Sequence, residues 1–236
     1  MDPKLQKWID LAAEITAGNR WKHLSDQLMT IHARIAPDAK WWLKVTSSLA
    51  AQLSSEYLRL QQSYRDAVAE PTRLAWQARN LLEISVWCTY CMKSTDNSRR
   101  FYEDAGRDVK GIIDEFEKWG IAHSMDASWM ECFRGVREDL ARRAAEVGIL
   151  SFDGSYERVH DAAKSCGLEA HFRMTYRFLS KFAHPTAMQI IGKADPAMRA
   201  LQKDLFLSHV ALFFAGGFSA LEDRVVKGIT LANAAG

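Results

Sequence analysis

The chain has 236 residues, of which 48% are hydrophobic and 25% charged, with a net charge of +2 and a sequence pI near 8.3. This profile fits a globular protein with one large core or two modest ones and excludes a disordered or collagen-like chain. The charge is too mild to argue for a nucleic-acid partner and does not exclude one. With only 13 Gly and 5 Pro, the chain has little punctuation, so its elements should be long.

The start, Met1-Asp2-Pro3, carries an acid and no apolar run, so no secretory signal is expected. Lys4 to Ala17 repeats Leu5, Trp8, Ile9, Ala12 and Ile15 at helical spacing and stops at Gly18. Trp21 to Ala36 repeats Leu24, Leu28, Ile31 and Ile35 and ends before Pro37. Asp38 is placed to cap a long helix through Trp41, Val45, Leu49, Leu53, Tyr57 and Tyr64. Residues 1–69 read as an N-terminal helical arm, and residues 70–236 as the core bundle.

Pro71 suits the first turn of the next helix. From Leu74 to Met92, Leu74, Ala78, Leu81, Ser85, Cys88 and Met92 make one face, while Trp76, Ile84 and Trp87 cover others. A helix apolar all round is central. Arg79 and Glu83 lie one turn apart within it, the spacing at which a charge removed from water finds a partner. They read either as an ion pair that fixes packing or as support for a site. Cys88-Thr-Tyr-Cys91 is a CxxC inside the same helical pattern, without the second pair of a zinc ribbon, so the two thiols read as small core residues. Asp96 or Asn97 opens a helix carried by Phe101, Ala105, Val109, Ile112, Ile113 and Phe116 to Gly120, with its acids on a solvated rim. Ser128 to Val147 follows, with Trp129, Phe133, Val136, Leu140 and Ala144 inward and a stop at Gly148. Phe152-Asp153-Gly154 marks a loop, and a short helix from Tyr156 to Cys166 breaks at Gly167. It holds one Glu-x-x-His, Glu157 to His160, where a di-iron bundle would need two.

A helix beginning near Leu168 ends in Tyr176-Arg-Phe-Leu-Ser-Lys-Phe-Ala-His184, followed by Pro185. At about 100° per residue, Arg177, Ser180, Lys181 and His184 share one arc, and Thr175, Phe178, Leu179 and Phe182 face the other way. Pro185 disfavours helical geometry at His184, and a helix end with unpaired carbonyls favours a cationic histidine there. Asp195-Pro196 opens a last helix to about Ile229, in which Gly216-Gly217 allows a kink or a close neighbour. Its longest apolar stretch, Val210 to Phe218, is well short of the roughly 18 residues of a membrane span, and a cytoplasmic location without a membrane contact is expected. The fold class is all-α, a helical bundle with the additional N-terminal arm.

The Tyr-x-x-Leu-Ser-x-x-x-His-Pro string resembles the terminal-helix signature of uncharacterised bacterial helical proteins that are in turn similar to the HEPN superfamily. Arg177 and His184, with six residues between them, resemble its Arg-x4–6-His ribonuclease motif, and Arg79-Asn-Leu-Leu-Glu83 resembles its arginine–glutamate helix. The likeness runs over roughly residues 70 to 220. It implies a HEPN-like bundle and a metal-independent endoribonuclease acting on single-stranded RNA without a cofactor, as a toxin or an anti-phage effector. It also implies a homodimer in which two motif helices face each other, and a protein partner that holds the activity in check. Arg177 and His184 would be catalytic; Ser180, Lys181 and Tyr176 would orient the substrate, and Arg79 and Glu83 would support the site from behind. The active pattern usually carries a polar residue straight after the arginine, where this chain has Phe178. Two other readings stay open: a catalytically silent relative that binds nucleic acid, a nucleotide or a protein, and an unrelated metal-dependent bundle enzyme.

Overall fold

A computed structural model describes residues 3–35, 40–66, 70–149, 152, 154–184, 186 and 196–234, without the side chains of 3–5, 196–198 and 228–234. Among these residues there are nine helices and no strand: α1 (Pro3–Ala17), α2 (Arg20–Arg34), α3 (Lys40–Arg65), α4 (Pro71–Lys93), α5 (Thr95–Ala122), α6 (Ala127–Glu146), α7 (Val159–Ser165), α8 (Glu169–Ala183) and α9 (Pro196–Ala234). The expected cap at Asp38, the turn at Asp153 and the opening at Asp195 lie outside the described residues.

The central position of α4 follows from its apolar surround. Leu74, Ala75, Ala78, Leu81, Leu82, Val86, Cys88 and Cys91 are all buried, and the helix touches α3, α5, α7, α8 and α9. The longest contact is with α9, and glycine is what permits it. A Cβ on Gly217 would stand 3.1 Å from both the Cα and the carbonyl oxygen of Ser85, so the two backbones run nearly against each other. Gly216, by contrast, has open space around it.

The N-terminal helices close over the same centre. Tyr57 of α3 stacks on Phe214 of α9 with ring centroids 4.0 Å apart, Trp21 of α2 lies 5.4 Å from Phe218, and Arg20 pairs with Glu222 at 2.5 Å. Buried apolar residues from Ala12 to Val225 form one continuous cluster, which residues 12–60 share with α4 and α9. Counted over a window rather than as an unbroken apolar run, Arg199–Lys227 of α9 is long and apolar enough to cross a membrane by length and composition. Here 61% of that window is buried inside the protein.

Helical periodicity misplaces the next two helices. Val109, Ile112 and Phe116 of α5 and Val136 of α6 are 39–58% exposed rather than inward. The reason is that α6 packs closely on α5 alone, and a two-helix hairpin encloses only the seam between its members. The seam holds Ile113 and Ala144, and Phe116 stacks on Phe133 at 5.5 Å. Nor does α5 stop at Gly120. That glycine is buried in the helix where α6 arrives, and a Cβ there would meet Trp129 Nε1 at 2.8 Å. Asp104 leaves the predicted solvated rim: it is buried and paired with Arg107 at 2.5 Å. It also accepts a 3.0 Å hydrogen bond from the Glu157 amide, and the Glu157 carboxylate meets Arg100 at 3.0 Å. These bonds hold residues 156–158 out of helical form, so α7 begins at Val159 rather than Tyr156.

Candidate functional site

The site lies on the seam of α4 and α8, which run antiparallel. Lys93, at the end of α4, donates to the carbonyl of Ser165 just before α8; at the opposite end, Arg79 reaches His184 just after it. Between those ends Phe172, Thr175 and Leu179 of α8 are buried. The helix ends at Ala183, and His184 is extended at φ −118°, ψ 150°, the geometry that a following proline demands.

Arg79 is the hub. Its Nε donates to Glu83 Oε1 at 3.1 Å, one Nη donates to His184 Nε2 at 2.6 Å, and the other donates to the Tyr176 hydroxyl. The guanidinium carbon also sits 4.5 Å from the centre of the Tyr176 ring. A planar fork with five N–H donors can serve three acceptors in this way, which an ammonium cannot. A guanidinium accepts no hydrogen bond, so His184 Nε2 must be the acceptor and the neutral ring carries its proton on Nδ1. The imidazole thus faces a cation, not the unpaired helix carbonyls expected from its place in the chain. Arg79 and Glu83 keep 21% and 32% of their side-chain surface, so the pair is half-buried rather than enclosed.

The structure divides the predicted arc of α8. His184 and Tyr176 turn toward Arg79, whereas Arg177 and Lys181 are exposed on the outer side. Neither of these two cations, nor the exposed Arg73 of α4, has an ion pair among the described residues, although arginines elsewhere on the surface mostly do. The Ser180 hydroxyl is covered and has no hydrogen-bond partner among the described residues. Phe178 points to α9: its ring lies 5.6 Å from Phe206, 5.3 Å from Phe182 and 5.8 Å from His209. The residue after Arg177 therefore belongs to the α8–α9 seam, and burial in that region lowers the His209 pKa below the ordinary histidine value.

Sequence reasoning missed the direct contact of Arg79 with His184, because the two are 105 positions apart and only the packing of α4 on α8 joins them. It also misplaced Trp76, whose ring is 54% exposed. The remaining polar motifs do not form sites. Glu157 and His160 part company, the histidine lying 3.6 Å from Glu169. Cys88 and Cys91 are buried thiols whose pKa values burial raises, which disfavours the thiolate. Among the described residues no group of three or more His, Cys, Asp or Glu side chains could hold a metal ion.

Residues 75–195, just over half of the chain, match the model of a family of unknown function, DUF5677. The match spans Arg79, Glu83, Tyr176, Arg177 and His184. No curated protein and no solved structure matches the chain.

Proposed function

The chain belongs to the DUF5677 family, and we propose that it is a metal-independent endoribonuclease of the HEPN type, working on single-stranded RNA from the α4–α8 seam. The observation that carries this reading is the convergence of Arg79, Tyr176 and His184 beside Arg177 and Lys181, the exposed cations of α8. A phosphodiester is a better acceptor for a guanidinium than a neutral imidazole is. An incoming phosphate would draw the Arg79 N–H away from His184 and release the Nε2 lone pair. His184 then takes the proton of the 2′-hydroxyl, which attacks its own phosphorus. The 2′-oxygen bond to phosphorus forms as the bond to the 5′-oxygen breaks. Arg79 stabilises the charge on the phosphorane oxygens. Arg177 and Lys181 hold the flanking backbone from the outer face of α8. In a homodimer with two facing seams, the second copy's His184, protonated on both ring nitrogens, gives a proton to the leaving 5′-oxygen. The two rings, one now cationic and the other neutral, exchange their proton through solvent before the next turnover. A toxin or anti-phage role, with a partner that restrains the enzyme, fits such an activity.

The test is cleavage of single-stranded RNA in EDTA. The expected products carry a 2′,3′-cyclic phosphate and a 5′-hydroxyl, and DNA, which lacks the nucleophile, stays intact. His184→Ala should lower the rate by roughly 10²–10⁴ while remaining folded, since the ring is exposed and losing its one bond to Arg79 costs only about 1 kcal/mol. DNA cleavage, or full activity in His184→Ala, would sink the mechanism. One observation favours a second reading, a catalytically silent domain that binds nucleic acid, a nucleotide or a protein: in this state the Nε2 lone pair is already occupied by Arg79. RNA binding without any cleavage by the wild type would select it.

A further inference from the structure

Trp76 stands on the helix that carries the hub, one turn before Arg79 and on the same face. The helix α4 is otherwise the most enclosed in the protein, yet this indole is 54% exposed and meets no other ring among the described residues. Burying an aromatic ring of that size ordinarily stabilises a fold, so a half-exposed tryptophan on a central helix does little for this one. Because α4 and α8 are antiparallel, Trp76, three residues before Arg79, lies toward the end of α4 that meets His184. Residues three or four apart on a helix hold their Cβ atoms roughly 5–6 Å from each other. The two side chains therefore spring from neighbouring points on one face of α4, the indole exposed beside the arginine that would hold the phosphate. The exposed Arg73 lies one turn further back, and it is unpaired among the described residues.

We propose that Trp76 is a stacking platform for the unpaired nucleobase next to the phosphate held at Arg79, which makes the seam a reader of single-stranded RNA. The inference rests on the ribonuclease reading for the position of the phosphate. Stacking needs only the π-face that every base has, so the subsite selects single strands over duplexes without selecting a sequence. A paired base is already stacked within its own helix and cannot lie on the ring.

The experiment is fluorescence anisotropy with a labelled, non-cleavable 2′-O-methyl oligouridylate, on the full chain, for wild type, Trp76→Ala and Trp76→Phe. Base–aromatic stacking is worth roughly 1–3 kcal/mol per base, so Trp76→Ala should weaken binding about 5- to 150-fold. Trp76→Phe should keep most of the affinity, and both variants should melt with the wild type. An oligomer carrying one abasic position at the stacked nucleotide should bind wild type as weakly as the intact oligomer binds Trp76→Ala, and the two losses should not add. Equal binding by wild type and Trp76→Ala overturns the platform, even if both cleave RNA and the ribonuclease reading survives. Loss of binding in Trp76→Ala with no cleavage by any form keeps the platform and overturns the ribonuclease. Absence of any binding by wild type overturns the platform.

Discussion

Arg79→Lys tests the hub most directly, because it keeps the charge and removes the fork. The guanidinium serves Glu83, His184 and Tyr176 together and lies over the Tyr176 ring. A lysine ammonium is a compact charge on a flexible stem and can hold one of the three. Two charge-assisted hydrogen bonds are then lost, each worth about 1.5 kcal/mol or a little more when shielded. With 21% of the side chain still accessible, water recovers part of that, leaving about 1–2 kcal/mol in total. The lost cation–π contact adds about 0.5–1 kcal/mol. The sum, about 1.5–3 kcal/mol, should lower Tm by roughly 3–12 °C in a chain of this size. Thermal melts followed by circular dichroism at 222 nm measure it. Tyr176→Phe and the double variant complete a cycle whose coupling should exceed about 0.5 kcal/mol. A lysine variant that melts within about a degree of wild type, or a cycle that is additive, would show that the fork does not tie α4 to α8.

Glu83→Ala should cost about 1–2 kcal/mol in the same melts, not the roughly 3–5 kcal/mol of an enclosed pair, because both partners keep contact with solvent. Ser180→Ala removes a covered hydroxyl that has no partner among the described residues and should leave Tm unchanged or raise it; a clear drop would mean the hydroxyl is bonded in solution. Tyr57 and Tyr90 have pKa values pushed up to about 12 chiefly by burial, and Tyr64 to about 12 chiefly by its hydrogen bond to Asp204. A phenol whose folded pKa exceeds its unfolded value gives stability that is complete below about pH 10 and lost as pH rises toward 12. Absorbance at 295 nm should show these three titrating together with alkaline unfolding, and a single early transition for all tyrosines refutes that account. Light scattering should find a two-fold dimer at micromolar concentration; a fully active monomer would refute the shared site.

The helices were legible because each carries its own periodicity: Leu24, Leu28 and Ile31, or Leu49, Leu53 and Leu60, mark buried faces from sequence alone, and these residues are buried. The Gly216-Gly217 pair left a kink and a close neighbour open, and it is the close approach that Gly217 makes. Periodicity fails where an apolar face has no third helix to meet, as at Ile112 and Val136, since amphipathicity records a face and not its partner. Gly120 misleads because a glycine suits a contact as well as a stop. At the site, one element could be read and the other could not. The end of α8 at His184 follows from Pro185, and the ladder from Arg79 to Glu83 follows from their spacing. That Arg79, and not Arg177, meets His184 depends on the rotation of α8 against α4. Phe178 and Phe182 set that rotation by seeking Phe206, a preference shared between α8 and α9 and invisible in either alone.

The packing of α9 has a consequence for synthesis. Five other helices, α1, α2, α3, α4 and α8, rest against a segment that begins at Pro196. A ribosome delivers that segment after all of them. Until it emerges, the faces carrying Ala12, Leu24, Tyr57 and Leu81 have no α9 to cover them, and the apolar surface they share stays open to water or to a chaperone. The protein therefore assembles around its latest helix rather than its earliest, and a pause or break in translation before α9 would release a chain with its centre missing.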